Sequence, residues 1–174
     1  MLYFAYGSNL STPRLRARVP SAEKIAVCGL ERHCLVFHKV GRDGSAKCDA
    51  FFTGREEDVV HGVLYRINPE EKPRLDRAEG LGKGYLTKKV RLAEGSTFHT
   101  GFLYYATLID PGLKPFHWYR EHVLFGAREH GLPEASIRTI EAVDVITDPD
   151  RERTARELGI YSDHSLLATE ENRP

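Results

Sequence analysis

Seven runs rich in β-branched and aromatic residues occupy the first two-thirds of this chain: Leu2 to Tyr6, Ile25 to Val27, Cys34 to Val40, Ala50 to Thr53, Val59 to Ile67, Tyr85 to Leu92 and Phe98 to Ala106. Such runs read as strands. Gly41-Arg42-Asp43-Gly44, Gly82-Lys83-Gly84 and Glu94-Gly95-Ser96 punctuate them as turns. Intervals this short leave little room for helical crossovers, so the strands are expected to pair mainly antiparallel and to curl or close on themselves. With 174 residues the chain suits one compact domain, expected over 1–160, followed by an extension at 161–174 that frays from Ala168 onward.

Helices are placed by their end signals. Ser11 or Thr12 caps a short one with Pro13 in its first turn, and Pro20 stops it. Asn68-Pro69-Glu70-Glu71 reads as a cap, a first-turn proline and an acid, with Gly80 at the far end. Pro73 lacks the N–H that a helix begun at Asn68 would need there, so the regular part is expected to start nearer Pro73. Phe116, Tyr119, Val123 and Ala127 recur at three- to four-residue steps until Gly131 and Pro133 end the pattern. Pro133 opens a further helix carrying Ile137 and Ile140, and Asp148-Pro149 begins a charged segment closed by Gly159.

The formal net charge is zero, with basic and acidic residues interleaved. No basic stripe is available to release counterions from a phosphate backbone, which argues against nucleic acid as a partner. No apolar run reaches membrane-spanning length, and the amino terminus lacks the pattern of a leader, so the expected location is the cytoplasm. Cys28, Cys34 and Cys48 are odd in number and have no CxxC spacing, which suggests reduced thiols rather than disulfides or a zinc site. His117 and His122 stand five apart, off a common helical face, and no metal is expected.

Two segments carry chemistry. In Phe4-Ala5-Tyr6-Gly7-Ser8-Asn9-Leu10 a strand runs into Gly-Ser-Asn just before a helix start, a junction that exposes N–H groups to an anion or developing oxyanion. The plain alternative is a strand-to-helix turn in which Gly7 supplies an unusual dihedral and Asn9 bonds its own backbone. In Arg74-Leu75-Asp76-Arg77-Ala78-Glu79-Gly80, Leu75 and Glu79 are four apart and share a helical face, so a core-facing Leu75 aims Glu79 inward. The helix C-terminus and Asp76 are both expected to raise the Glu79 pKa, which suits a general base that returns its proton. The plain alternative is a solvated acid paired with Arg77.

These segments, with Val63, with Tyr85 behind Glu79-Gly80, and with Pro115 to Tyr119 leading into Gly126-Ala127-Arg128-Glu129-His130-Gly131-Leu132-Pro133, resemble the γ-glutamylcyclotransferases, a family that includes AIG2-like proteins. The resemblance spans roughly residues 2 to 145 and agrees in order, spacing and identity at three separated sites. It implies an α+β (mixed) fold, a small, mainly antiparallel β-barrel with flanking helices. It also implies a cofactor-independent enzyme that releases 5-oxoproline from a small-molecule γ-glutamyl amino acid or amine. By the same resemblance Glu79 is the acid/base residue, Tyr6, Gly7, Ser8, Asn9 and Leu10 form the substrate loop, and Tyr85 and Tyr119 line the pocket. Homodimers are common among such enzymes.

The segment Gly44-Ser45-Ala46-Lys47-Cys48-Asp49 departs from the family pattern by placing charged residues and a thiol where relatives often have small or polar ones. The neighbourhood of Trp118 departs as well. Both bear on substrate identity more than on reaction type. Asn9-Leu10 after Gly7-Ser8 is unlike the glutathione-specific branch. Two rival readings are a γ-glutamyl-binding module without turnover and a hydrolase using Cys48 or Ser8 with a histidine as base.

Overall fold

The computed structural model describes residues 1–162. The expected fraying from Ala168 lies outside the described residues, as does the expected extension apart from Tyr161 and Ser162. All seven expected strands form: β1 (Leu2–Ala5), β2 (Glu23–Glu31), β3 (His33–Val40), β4 (Ala46–Phe52), β5 (Val59–Arg66), β6 (Tyr85–Glu94) and β7 (Thr97–Ala106). Five of them close into a barrel in the order β1-β5-β2-β6-β7, and β3-β4 stand apart as a two-stranded ribbon. Pairing is antiparallel as expected except at the closure, where Tyr3 of β1 meets Phe102 of β7 in parallel. Closure removes the unpaired edges that β1 and β7 would otherwise expose.

The helices are α1 (Thr12–Arg18), α2 (Lys72–Glu79), α3 (His117–Glu129), α4 (Glu134–Glu141) and α5 (Arg151–Gly159). Ser11 caps α1 by accepting the Arg14 N–H. Asn68 caps only a 3₁₀ turn over Pro69–Glu71, and α2 begins beyond it at Lys72, which puts Pro73 in the first turn where its missing N–H is harmless. Gly80 ends α2 with φ 75°, a left-handed conformation that favours glycine. The last helix is capped at Asp150, two residues after the start of the charged segment at Asp148. Asp150 accepts the Arg153 N–H, while Asp148 is buried beneath the Trp118 indole N–H (2.7 Å) and the Arg153 guanidinium.

The core runs from inside the barrel to the underside of α1, α2 and α3, with Phe4, Leu10, Leu15, Leu64, Leu75, Leu103, Val123 and Ala127 all at 0% exposure. One contact fixes the site end of the molecule. A Cβ at Gly126 on α3 would lie 2.3 Å from the Ser11 nitrogen and 2.4 Å from Leu10 atoms, so α3 can lie against the segment between β1 and α1 only without a side chain there.

Candidate active site

The strand β1 delivers Tyr6 and Gly7 to the mouth of the barrel, where Ser8–Leu10 make a single 3₁₀ turn before α1. Gly7 has φ −113°, so no left-handed conformation is required of it. The constraint is space instead: a Cβ would sit 3.0 Å from Cys48 Cβ and 3.5 Å from the Tyr119 hydroxyl. Within the turn the Leu10 N–H donates to the Gly7 carbonyl (2.9 Å). The Ser8 and Asn9 N–H groups, at the open start of the turn, are not consumed by it.

Leu75 is fully buried, and Glu79, one turn on, points the same way with its side chain 16% exposed. Its surroundings are not those read from the sequence. Asp76 faces elsewhere, held by Lys72 Nζ (2.7 and 2.8 Å) and by the Tyr104 hydroxyl (2.6 Å). The cation beside Glu79 is Arg18 of α1, at 2.9 Å, rather than Arg77. Asn9 does not bond its own backbone: its amide donates to Glu79 Oε1 (2.8 Å) and to the Tyr3 hydroxyl (2.9 Å), and its Oδ1 accepts from Arg18 (2.7 Å). Asn9, Arg18 and Glu79 thus form a closed triangle across three elements. Both bonds to the carboxylate fall on Oε1, and among the described residues none falls on Oε2.

Two connected chambers meet at this triangle. The inner one, of 20 Å³, is walled by Tyr3, Tyr6, Gly7, Asn9, Cys48 and Tyr104. The outer one, of 310 Å³, is walled largely by charged side chains from α1, the β3-β4 ribbon and α5. Ser8, Glu79, Tyr85 and Tyr119 line both. Leu10 lines neither, because its side chain is buried under α3.

The tyrosines hold the frame. Tyr85 donates its hydroxyl to the Cys48 carbonyl (2.5 Å), the Tyr119 hydroxyl accepts the Cys48 N–H (3.0 Å), and Tyr6 donates to the Tyr104 carbonyl. Burial pushes the Tyr6, Tyr85 and Tyr119 phenols well above their ordinary range, so each is a neutral hydrogen-bonding group. Burial also raises the Cys48 thiol, whose hydrogen-bonding neighbour is Tyr119. A raised thiol with no histidine bonded to it among the described residues lacks what a nucleophile needs. The buried histidines are engaged elsewhere, His33 with the Glu31 carbonyl and Lys88, His38 with Asp49, and His122 with Glu157 and Tyr161, and the half-buried His130 lies against Tyr65.

Sequence reasoning missed Arg18, Tyr3 and the ring of charges around the outer chamber. Arg18 had no visible signal, since a lone arginine at the end of a short helix is usually solvated. The two departures noticed in the sequence turn out to be one place: Lys47 Nζ lies 5.0 Å from the Trp118 ring and 4.7 Å from the Tyr119 ring.

Residues 59–140 match the AIG2-like family model. The γ-glutamylcyclotransferase of Bos taurus is 31% identical over 150 residues, covering 82% of this chain and 80% of the bovine one. That of Homo sapiens is 30% identical over 147 residues, covering 82% of this chain and 78% of the human one. A solved γ-glutamyl cyclotransferase structure superposes with a TM-score of 0.81 at 27% identity, covering 91% of this chain and 97% of that chain. Among the described residues no helix is long and apolar enough to cross a membrane.

Proposed function

Because the chain belongs to the γ-glutamylcyclotransferase family, we propose that it closes γ-glutamyl amino acids or γ-glutamylamines on themselves, with Glu79 moving the proton, and releases 5-oxoproline and a free amine. The observation that carries this reading is the position of Glu79 on the wall shared by both chambers, oriented through Oε1 by Asn9 and Arg18, with no bond to Oε2 among the described residues.

In a γ-glutamyl compound the α-nitrogen and the γ-carbonyl carbon belong to one molecule. Holding them in contact lowers the barrier by about 7–11 kcal/mol. Glu79 removes a proton from the α-ammonium, and the freed amine attacks the γ-carbonyl to form the lactam C–N bond. Negative charge gathers on the carbonyl oxygen. The bond to the leaving nitrogen then breaks as that nitrogen takes this proton from Glu79, and the surplus proton left on the attacking nitrogen is passed in the same way to the freed amine, so the lactam is neutral, the amine departs as an ammonium and the carboxylate ends as it began. The N–H groups of Ser8 and Asn9 and the Ser8 hydroxyl are the donors placed for the oxyanion or for the substrate α-carboxylate. Tyr6, Tyr85 and Tyr119 shape the inner chamber, and Gly7 lets the loop lie against Cys48. Leu10 contributes from beneath, by holding the loop on the core. The transfer is internal to substrate and Glu79, so this chemistry calls for no cofactor.

The test is a panel of γ-glutamyl compounds with chromatographic separation of products. The expected products are 5-oxoproline and an equal amount of amine. Glutamate in place of 5-oxoproline would make water the nucleophile, and a ligand-raised melting temperature without turnover would make this a binding module.

A further inference from the structure

Three of the cations around the outer chamber have carboxylate partners: Arg14 with Glu157, Arg18 with Glu79, and Lys47 with Asp43. Lys39 and Arg42 line the same chamber without one among the described residues. Lys39 is the more telling. It is 3% exposed, yet its ammonium has no hydrogen-bond acceptor there and lies 4.6 Å from the centre of the Tyr85 ring. Arg42 makes one long contact, 3.4 Å, to the Arg77 carbonyl. The lysine stem is buried while the ammonium opens onto the chamber, where solvent alone offsets its charge and an anion would do so better.

The placement of Lys39 is built into the fold. Between Phe37↔Cys48 and Lys39↔Lys47 the β3-β4 register shifts, with His38 as the extra residue. Bulges of this kind redirect the side chains beside them. On the other side Gly84, with φ 106°, leaves room for the lysine stem: a Cβ there would lie 2.9 Å from Lys39 Cε and 3.3 Å from Nζ. Burial first, then the nearby Lys47 and Arg42, hold the Lys39 ammonium below its ordinary pKa, opposed by Glu79 and Asp43. A bound anion would relieve that penalty.

Resting on the cyclisation reading above, we infer that Lys39 and Arg42 form a leaving-group subsite that selects γ-glutamyl conjugates of acidic amino acids, the two cations receiving the two carboxylates of the departing amine. The inner chamber, of 20 Å³, has room for little more than a water, so the glutamyl half is placed at its mouth, against Glu79 and Ser8 on the wall that the two chambers share. The departing amine therefore extends into the outer chamber. There the cations outnumber the carboxylates by the two that lack partners, which matches a leaving group carrying two negative charges.

The experiment compares kcat/KM for γ-glutamylglutamate, γ-glutamylalanine and γ-glutamylethylamide, whose leaving amines carry two, one and no carboxylates. The expected order is the order of charge, with roughly tenfold between neighbours, as for one charge-assisted hydrogen bond. In Lys39→Gln the ratio of γ-glutamylglutamate to γ-glutamylethylamide is expected to fall by at least about tenfold, and in Lys39→Arg to be retained. Each ratio comes from one preparation, so partial loss of folded protein does not affect it. Release of 5-oxoproline from all three at similar kcat/KM, or an unchanged ratio in Lys39→Gln, would overturn the subsite while leaving cyclisation intact. Failure of all three to yield 5-oxoproline would overturn both.

Discussion

At the scale of single residues the site depends on one carboxylate whose orientation comes from two partners distant in sequence. Gln at position 79 keeps an oxygen for Asn9 but cannot accept a proton, so Glu79→Gln is expected to lower kcat by at least about 10²-fold in a protein that still binds substrate. Arg18, with a side chain only 21% exposed, would lose its charged partner, so the same change is expected to lower stability. The expected outcome is a modest fall in melting temperature together with the loss of rate, and near-normal 5-oxoproline release by the folded variant would remove Glu79 from the mechanism. The carboxylate itself was legible from the four-residue spacing to Leu75. Its partners were not, since Asn9 and Arg18 reach it only once β1 and α1 have packed beside α2.

At the scale of elements, two contacts hold the walls of the chambers. The Ser11 backbone lies so close to α3 that Gly126→Ala would force them apart, at an expected cost of about 1–3 kcal/mol. Differential scanning calorimetry together with kcat/KM would check this, and both should fall, because the displaced segment also carries Ser8 and Asn9. The second contact docks α5 onto α1 and α3. Arg14 pairs with Glu157, His122 Nε2 lies 3.1 Å from Glu157, and His122 Nδ1 lies 2.6 Å from the Tyr161 hydroxyl, which also reaches Ser11 (3.0 Å). Burial lowers His122 to about 4 from an ordinary 6.5, and the His122 hydrogen bond and Arg14 hold Glu157 down at about 2 from 4.5. Both shifts are depressions, so in each case the undocked state binds the proton more readily. Docking is therefore expected to weaken as pH falls from 6.5 towards 4 through His122, and further from 4.5 towards 2 through Glu157. Amide exchange in residues 151–162, corrected for intrinsic rates, should be faster at about pH 5 than at about pH 7.5. Equal protection at the two values would show that this network does not govern docking.

For the whole molecule, the barrel is a frame whose open end gathers the β1 loop, α1, α2, the β3-β4 ribbon and the start of α3 around one cavity. The proposed reaction keeps its atoms within substrate and Glu79. Exhaustive dialysis against a chelator is therefore expected to leave the rate of 5-oxoproline release unchanged, and a loss restored by added metal would contradict the mechanism. The seven strands, the caps at Ser11 and Asn68, the stop at Gly80 and the buried stripe of α3 were all readable from local sequence. Each is set by dihedral preference, end chemistry or hydrophobic period within a few residues. The resemblance of three separated segments carried the family. What only tertiary structure decided was non-local. The parallel closure of β1 on β7 depends on barrel geometry, and the separation of β3-β4 from the barrel depends on which edges found partners. The pairing of Glu79 with Arg18 rather than Arg77, and the lack of an ion-pair partner for Lys39 among the described residues, depend on distances between elements far apart in the chain. A linear pattern records which charges are present, and the packed chain decides which of them meet.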